Sequence, residues 1–506
     1  MTFRWIRFGP PALVGLLILA QASPLAAQTE KVAGKPMERP KFKELVVSPA
    51  PAPIPAFRYS LLPSSARLKP GDAAPIYLRL RYDVPDEEWD KAQEKSGAWL
   101  DCPIQDLPLK EVESTLARLE KRFDLLTIAA HRATCDWNYP LDEQRTRAID
   151  LQLNDVNTLR GWGRLLALKA RVEIAGGRFE DAARTIETGL AFGKHVGKGP
   201  FLINALVGVA IENTILSCLD DWIAQPGAPN LYWALTALPR PLLGLREAVE
   251  QERLFAENMI PELADVDAPR SPAAWSLHLE SMYNRMQTLA RRLFPNDPNT
   301  AKPKDVERLA DELTASLGAD LAAYKQANLA TFRKQLVESG IFSEDQARAM
   351  SDDEAMSRGV VLGYQTLWDE VFKLFYLSYG EAEKAQMVHE KLTAAAKDGP
   401  FALFAMLQPS LYSTQSSDAR LGRRVALLRT VEAIRLYAAS HEGKLPDSLD
   451  AVHEAPIPTD PVTGRAFSLK VDGDVATLIP PNAPLMFSPD YKITIRKGDP
   501  KASSPR

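Results

Sequence analysis

The sequence predicts a mainly α-helical protein: a multi-helix body of α-hairpins that carries a small C-terminal α+β module. Two observations predict it. From Leu109 to about residue 406, apolar residues recur three and four apart, the spacing of an amphipathic helix. Strand-like alternation is absent before residue 460, after which Phe467–Lys470 and Val475–Ile479 form two short candidate strands. They are joined by Asp472-Gly473-Asp474, and a glycine between aspartates suits a tight hairpin turn. The hydrophobic fraction of 45% is ordinary for a chain with a real core.

Residues 1–27 open with Arg4 and Arg7, continue through an apolar run from Ala12 to Ala20, and end in small residues up to Ala27. That order is the form of a secretory signal peptide. A membrane anchor needs about 20 apolar residues, and Gln21, Ser23 and Pro24 end this run sooner. Cleavage is expected after Ala27 or after Ala22. No cysteine lies near either cut, so no lipid anchor is expected. The chain is thus read as exported, periplasmic or extracellular, with no integral membrane span after cleavage.

Twelve prolines fall between Pro36 and Pro108, among them the alternating Pro49, Pro51, Pro53 and Pro55. Proline fixes its own φ and donates no N–H, so residues 28–56 read as an extended, flexible Pro-rich linker. The helical body is expected over 57–406, where Leu61, Leu62, Ile76, Tyr77, Leu78 and Leu80 dock its first part. Leu109, Val112, Leu116, Leu119, Phe123 and Leu126 make one apolar stripe. Further helices are expected over 143–176, 178–195, 200–224, 240–260, 272–293, 304–338, 352–377 and 380–397. Ser271-Pro272 has the form of a cap followed by proline at the first helical position. Ser343 with Gln346, and Ser351 with Glu354, have capping-box spacing.

Gly177-Arg-Phe179-Glu-Asp-Ala182, with Leu166 and Ala170 before it and Ile186 and Gly189 after it, resembles a tetratricopeptide-type helical hairpin over about 162–195. Glu173 stands where that pattern has an aromatic, and Lys194 where proline often follows. No second copy is evident, so the resemblance implies one antiparallel helix pair and not a solenoid.

Over 418–495, Arg423 to Ser440 reads as a helix. Val425, Leu428, Val431, Ile434 and Leu436 form its apolar face, and Arg429, Glu432 and Arg435 are expected on the wet side. Leu445-Pro446-Asp-Ser-Leu449 and Thr459-Asp460-Pro-Val-Thr-Gly464 precede the hairpin. This order resembles the soluble domain of type II secretion pseudopilins. It departs from them in lacking an apolar spine, since Ser413 to Asp418 is polar. Residues 496–506 are a polar tail. As a whole, the chain is similar to uncharacterised exported bacterial proteins. The residues that carry this are Cys135-Asp136-Trp137, Pro226-Gly-Ala-Pro-Asn-Leu-Tyr-Trp233 and Leu238-Pro-Arg-Pro241. That resemblance implies export and a helical fold, and no activity.

The net charge of −4 becomes more negative once Arg4 and Arg7 are removed, and no basic stripe exists. Nucleic acid is therefore an unsuitable partner, and a protein partner is expected. Cys102, Cys135 and Cys218 leave at least one thiol unpaired. Either Cys102 and Cys135 form a bridge or all three are small buried hydrophobes, and the second is expected.

No nucleophile elbow, phosphate loop or dinucleotide fingerprint is present. His389-Glu390, His441-Glu442 and His453-Glu454 each lack the second histidine of a zinc helix. No cofactor and no metal is expected. Asp460 and Asp472–Asp474 suit either calcium or turns. His131 and Cys135, four residues apart, read as a helix end packed on Trp137. Trp368, Phe372, Phe375, Tyr376 and Tyr379 read as a core face.

The weak catalytic candidates are Glu212, Glu250 and Arg253. Phe201 to Leu219 is apolar nearly all round, so Glu212 is expected inside, where a lone carboxylate is costly. The expected solution is an ion pair with Arg246 or Arg253; the alternative is a pair of acids, Glu212 and Glu250. Three readings of function follow: a non-catalytic interaction scaffold of the cell envelope, a hydrolase-like enzyme using buried carboxylates, or a secretion-system accessory.

Overall fold

The computed structural model describes residues 42–82, 84–139, 154–293, 311, 315–382, 409–482 and 490–496. Residues 1–27, read as a signal peptide, residues 28–41 of the expected linker, the tail beyond residue 496, the first parts of the helices expected over 143–176 and 304–338 and most of that expected over 380–397 lie outside them. The described elements, in chain order, start with β1 (Phe42–Val47), β2 (Lys69–Asp72), α1 (Ala74–Leu78), α2 (Asp86–Asp101), α3 (Leu109–Ala117), α4 (Glu120–Ala130) and β3 (Arg132–Thr134). Then come α5 (Asn154–Ala175), α6 (Phe179–Gly197), α7 (Leu202–Ala224), α8 (Tyr232–Thr236), α9 (Arg246–Met259), α10 (Pro272–Leu293), α11 (Leu321–Glu338), α12 (Glu344–Ala349) and α13 (Asp352–Phe375). The chain closes with α14 (Pro409–Ser440), β4 (Ser468–Asp472), β5 (Val475–Ile479) and β6 (Asp490–Ile495). The fold is mainly α with a small sheet.

The described residues divide into two compact units. The first takes residues 42–137, 154–248 and 414–496, and the second takes 138–139, 249–382 and 409–413. In the first unit, α5 stops at Gly177, whose φ of 67° is left-handed and free of cost only for glycine. The amides of Gly177 and Arg178 close back on the carbonyls of Ile174 and Glu173, at 3.0 and 2.8 Å, so α6 returns beside α5. Glu173 is buried and accepts from Lys169 and from the Thr185 hydroxyl of α6.

α7 then packs on both helices. Among the described residues it is the one helix long and apolar enough to cross a membrane, and here most of that apolar length is buried. It meets α6 backbone to backbone. A Cβ built on Gly208 would come within 2.7 Å of the Gly193 carbonyl oxygen and the Gly197 Cα.

The sheet has the order β1-β6-β5-β4. β1 lies parallel to β6, from Phe42 opposite Asp490 to Val47 opposite Ile495, and β5 is antiparallel to both β6 and β4. Two sequence expectations are corrected here. Residues 42–47, read as part of a flexible linker, are a strand whose Leu45 and Val47 are buried. The proline density around Phe-Lys-Glu-Leu-Val-Val hid a proline-free stretch that alternates. The module at 418–495 therefore takes an edge strand from the other end of the chain. A second small sheet, β2 with β3, also precedes residue 460.

The third correction concerns α14. Arg429, Glu432 and Arg435, expected on the wet side, are buried to 7%, 0% and 0% exposure. Neighbouring chain surrounds the helix and supplies each charge with a partner.

In the second unit α13 packs against α10 and α11. Tyr364, Trp368 and Phe372 are core residues, Tyr379 is also buried, and Tyr376 is 60% exposed. The guanidinium groups of Arg270 and Arg358 both lie over the Trp275 ring, at 4.7 and 4.9 Å from its centroid. The caps form, with the full reciprocal box at Ser343 and half of one at Ser351. Ser343 and Gln346 exchange side chain-to-backbone bonds, Ser351 accepts from the Glu354 amide, and Ser271 from that of Ala274.

Candidate functional site

Glu212 sits midway along α7 with no exposed surface, and neither carboxylate oxygen has a hydrogen-bond partner. Gly193 of α6 makes room for it, since a Cβ there would approach the Glu212 Cγ within 2.7 Å. The expected ion pair is absent: among the described residues no cation bonds to Glu212. Arg253 belongs to the second unit, where it binds Glu257 at 3.2 Å and Asp369 at 3.0 Å. Glu250, in the same unit, is exposed to solvent, as is Arg246 at the start of α9. The acid that does act on Glu212 is Asp418 of α14, which sequence reasoning missed.

Burial, and after it the charge of Asp418, raises the Glu212 carboxyl well above its usual range; Lys194 of α6 opposes them. Burial pushes Asp418 up to about 7, against the stabilising amide of Leu243 that donates to it. One oxygen of Asp418, Oδ1, is also buried without a partner. Both carboxyls are therefore held toward their neutral forms. Desolvation disfavours the charged form of both, and for Glu212 the charge of Asp418 adds to it. Sealed from solvent, Glu212 presents no face to a substrate.

The other reactive groups of this unit are engaged in structure. Tyr77 and His195 share a 2.9 Å hydrogen bond between the phenol oxygen and Nδ1, and the Trp137 indole N–H donates to the His195 carbonyl at 2.9 Å. Burial, with Lys198 and Lys194 nearby, lowers His195 to about 4. Burial, then Asp72, pushes the Cys135 thiol up to about 12. A thiol so placed carries almost no thiolate, the nucleophilic form. His131 binds the Thr127 carbonyl through Nδ1 at 2.8 Å, as a helix end does. All three cysteines are free; Cys218 is buried, while Cys102 and Cys135 are half-buried, a departure from the expectation that all three are buried.

Asp460 resolves its two readings in favour of a turn. It is buried and accepts from the Val462 and Thr463 amides, from the Thr463 hydroxyl and from both sides of the Arg423 guanidinium, at 2.9 and 2.7 Å. Its oxygens are taken. Among the described residues no three His, Cys, Asp or Glu side chains are grouped to hold a metal.

The segment Pro226–Trp233 is a docking loop for α14. Asn230 donates to the Glu432 carbonyl at 2.9 Å, and Arg435 donates to the Ala228 carbonyl and, on its other side, to that of Ser48 at 2.9 Å. Tyr232 donates to the Pro456 carbonyl and lies under the Arg429 guanidinium. The Glu432 carboxylate takes two bonds from Arg435, at 3.1 and 2.9 Å. The signal for this joint was available: Arg429, Glu432 and Arg435 recur at spacing three among the apolar Val425, Leu428, Val431, Ile434 and Leu436. Asp418 offered only its place in the polar stretch Ser413–Asp418.

No family model, curated protein or solved structure matches this chain.

Proposed function

We propose that the chain is an exported, non-catalytic protein-interaction scaffold of the cell envelope. An exposed apolar tip in the first unit carries this reading. Ile54 is 91% exposed and Phe57 66% exposed, on a proline-rich backbone. The tip is held in place. The Phe57 ring meets Trp233 edge-on with centroids 6.4 Å apart, and Arg58 and Tyr59 both bind Glu180 of α6. A large aliphatic and an aromatic side chain kept in water by a fixed loop are the material of a contact hot spot. The form of residues 1–27 supports export. The tetratricopeptide-like and pseudopilin-like resemblances support a protein partner.

Photo-crosslinking side chains placed in turn at positions 54 and 57, in cells, test the reading. The expected result is one discrete adduct with an envelope protein. The absence of any adduct at both positions, with the chain folded and abundant, removes the scaffold. Retention of the chain in the cytoplasm after osmotic shock removes export.

A further inference from the structure

We propose that Arg160 and Arg164 of α5 form a binding site for a phosphate group, set in the groove between α2 and α7 of the first unit. The site goes beyond the scaffold reading and does not depend on it, because it shares no residue with the exposed tip.

The two arginines are four residues apart in one helix, so they share a face of α5 with their Cβ atoms about 5–6 Å apart. Helical spacing puts Gly161 and Gly163 roughly 80° to either side of that face. A neighbouring helix closes on each glycine. A Cβ built on Gly161 would come within 2.8 Å of the Trp89 ring and of the Gln93 amide oxygen of α2. One built on Gly163 would come within 2.8 Å of the Ile211 side chain of α7. Arg160 and Arg164 therefore rise from α5 between two closely packed walls. Arg171, about two turns further along the same stripe, spans both walls. It donates to the Trp99, Leu100 and Cys102 carbonyls at the end of α2 and to Asp221 of α7.

Charge sets the first two arginines apart. Arg171, Arg178 and Arg184, the next arginines along the chain, each meet an acid. Arg160 and Arg164 are half-buried, and among the described residues neither has an ion pair or a hydrogen bond. The acids of the surrounding elements are engaged or turned elsewhere. Glu88, Asp90 and Glu94 of α2 bond to neither arginine, and the last two are exposed. Glu111 and Glu113 of α3 pair with Lys95 and Arg178. On α7, Asp220 binds Lys43 and Arg424, and Asp221 binds Arg171. Burial, then the charge of Arg164, lowers Arg160 from its ordinary value, and no acid opposes them. Beside Gly161, the Gln93 amide nitrogen is a further buried donor without an acceptor.

The donors define the ligand. A guanidinium carries five N–H donors in a planar fork, has no acceptor and stays charged. Two of them match a doubly charged anion with several oxygens, as in inorganic phosphate or a phosphate monoester. A single carboxylate would neutralise only one.

Isothermal titration of the full-length chain with inorganic phosphate, against chloride at equal ionic strength, tests the site. Saturable binding of one phosphate is expected. Arg160→Gln and Arg164→Gln are each expected to weaken it at least about tenfold. Arg348→Gln, on the surface of the second unit, is expected to leave it unchanged. No saturable binding, or binding that survives both substitutions, overturns the proposal. If the variants do not fold, phenylglyoxal modification of the wild type, mapped by mass spectrometry, decides. Phosphate is expected to protect Arg160 and Arg164 and not Arg348; equal modification with and without phosphate overturns the proposal. Flotation with phosphatidic acid vesicles separates the sources of the group. Retention on vesicles that is lost in Arg164→Gln assigns it to a lipid headgroup, and phosphate binding without retention assigns it to a soluble phosphate.

Discussion

The two ends of α14 treat buried charge in opposite ways. Near residue 418 the acids lack partners: one oxygen of Asp418 and both of Glu212, on which its charge acts, are buried without a hydrogen bond. From residue 423 to 435 every buried charge on the described helix meets a designed-for counterpart. Arg423 binds Asp460 through two nitrogens, and Arg435 binds Glu432 while also capping the carbonyls of Ser48 and Ala228. The difference is one of fixity. A buried pair with its remaining bonds satisfied holds its charge and fixes the chain around it. A buried acid short of donors is pushed toward its neutral form.

The comparison breaks most visibly at Arg435. Arg435→Ala leaves Glu432 buried with no cation and strands the Ser48 and Ala228 carbonyls; a loss of about 3–5 kcal/mol is expected, read by chemical denaturation. A loss under about 1 kcal/mol would mean that the polar joint is not what fixes α14. Gly193→Ala comes next. Its new methyl meets the Glu212 Cγ at 2.7 Å and the Gly208 carbonyl at 3.2 Å, so overpacking of about 1–3 kcal/mol is expected. Restored stability on combining it with a smaller residue at 212 would place the strain at that contact.

Asp220 sharpens the comparison through pH. It is buried, yet Arg424 and Lys43 outweigh that burial and hold it below its ordinary value. Its contribution is therefore present above the unfolded pKa near 3.8 and is lost as pH falls through the lower folded value. Thermal melts are expected to show Asp220→Asn shrinking the acidic limb of the stability curve, whereas Asp418, raised to about 7, lowers stability as pH rises from its unfolded value toward 7. A single variant that alters both limbs would show that the two sites are coupled. The smallest effect is expected on the surface: Lys334→Ala removes an i, i+4 pair with Glu338 that is mostly exposed, and its midpoint in denaturant should not move measurably.

Most helices were legible because their physics is local. The stripe Leu109–Leu126, the glycine turn at 177, the caps at Ser343 and Ser351 and the all-apolar Phe201–Leu219 each carry their signal within a few turns of chain. The burial of Glu212 was legible for the same reason, since an acid in a helix apolar on every side has nowhere wet to go. Its partner was not. Arg246 and Arg253 are near in sequence, and i, i+4 logic made them candidates, but Arg253 is spent on Glu257 and Asp369. Asp418, more than 200 residues away, is brought to Glu212 by the path of α14 alone.

By itself, then, the sequence determined the helical class, the hairpin at Gly177, the core role of α7 and the interior place of Glu212, all of which follow from spacing and side-chain solubility along one segment. Tertiary structure alone decided that Phe42–Val47 completes the C-terminal sheet, that Arg429, Glu432 and Arg435 are interior, and that no arginine among the described residues bonds to Glu212. Those outcomes depend on which distant segment supplies a hydrogen bond or a charge. A polar residue on a helix is wet or buried according to its partners, and partners that far apart in sequence are chosen by packing.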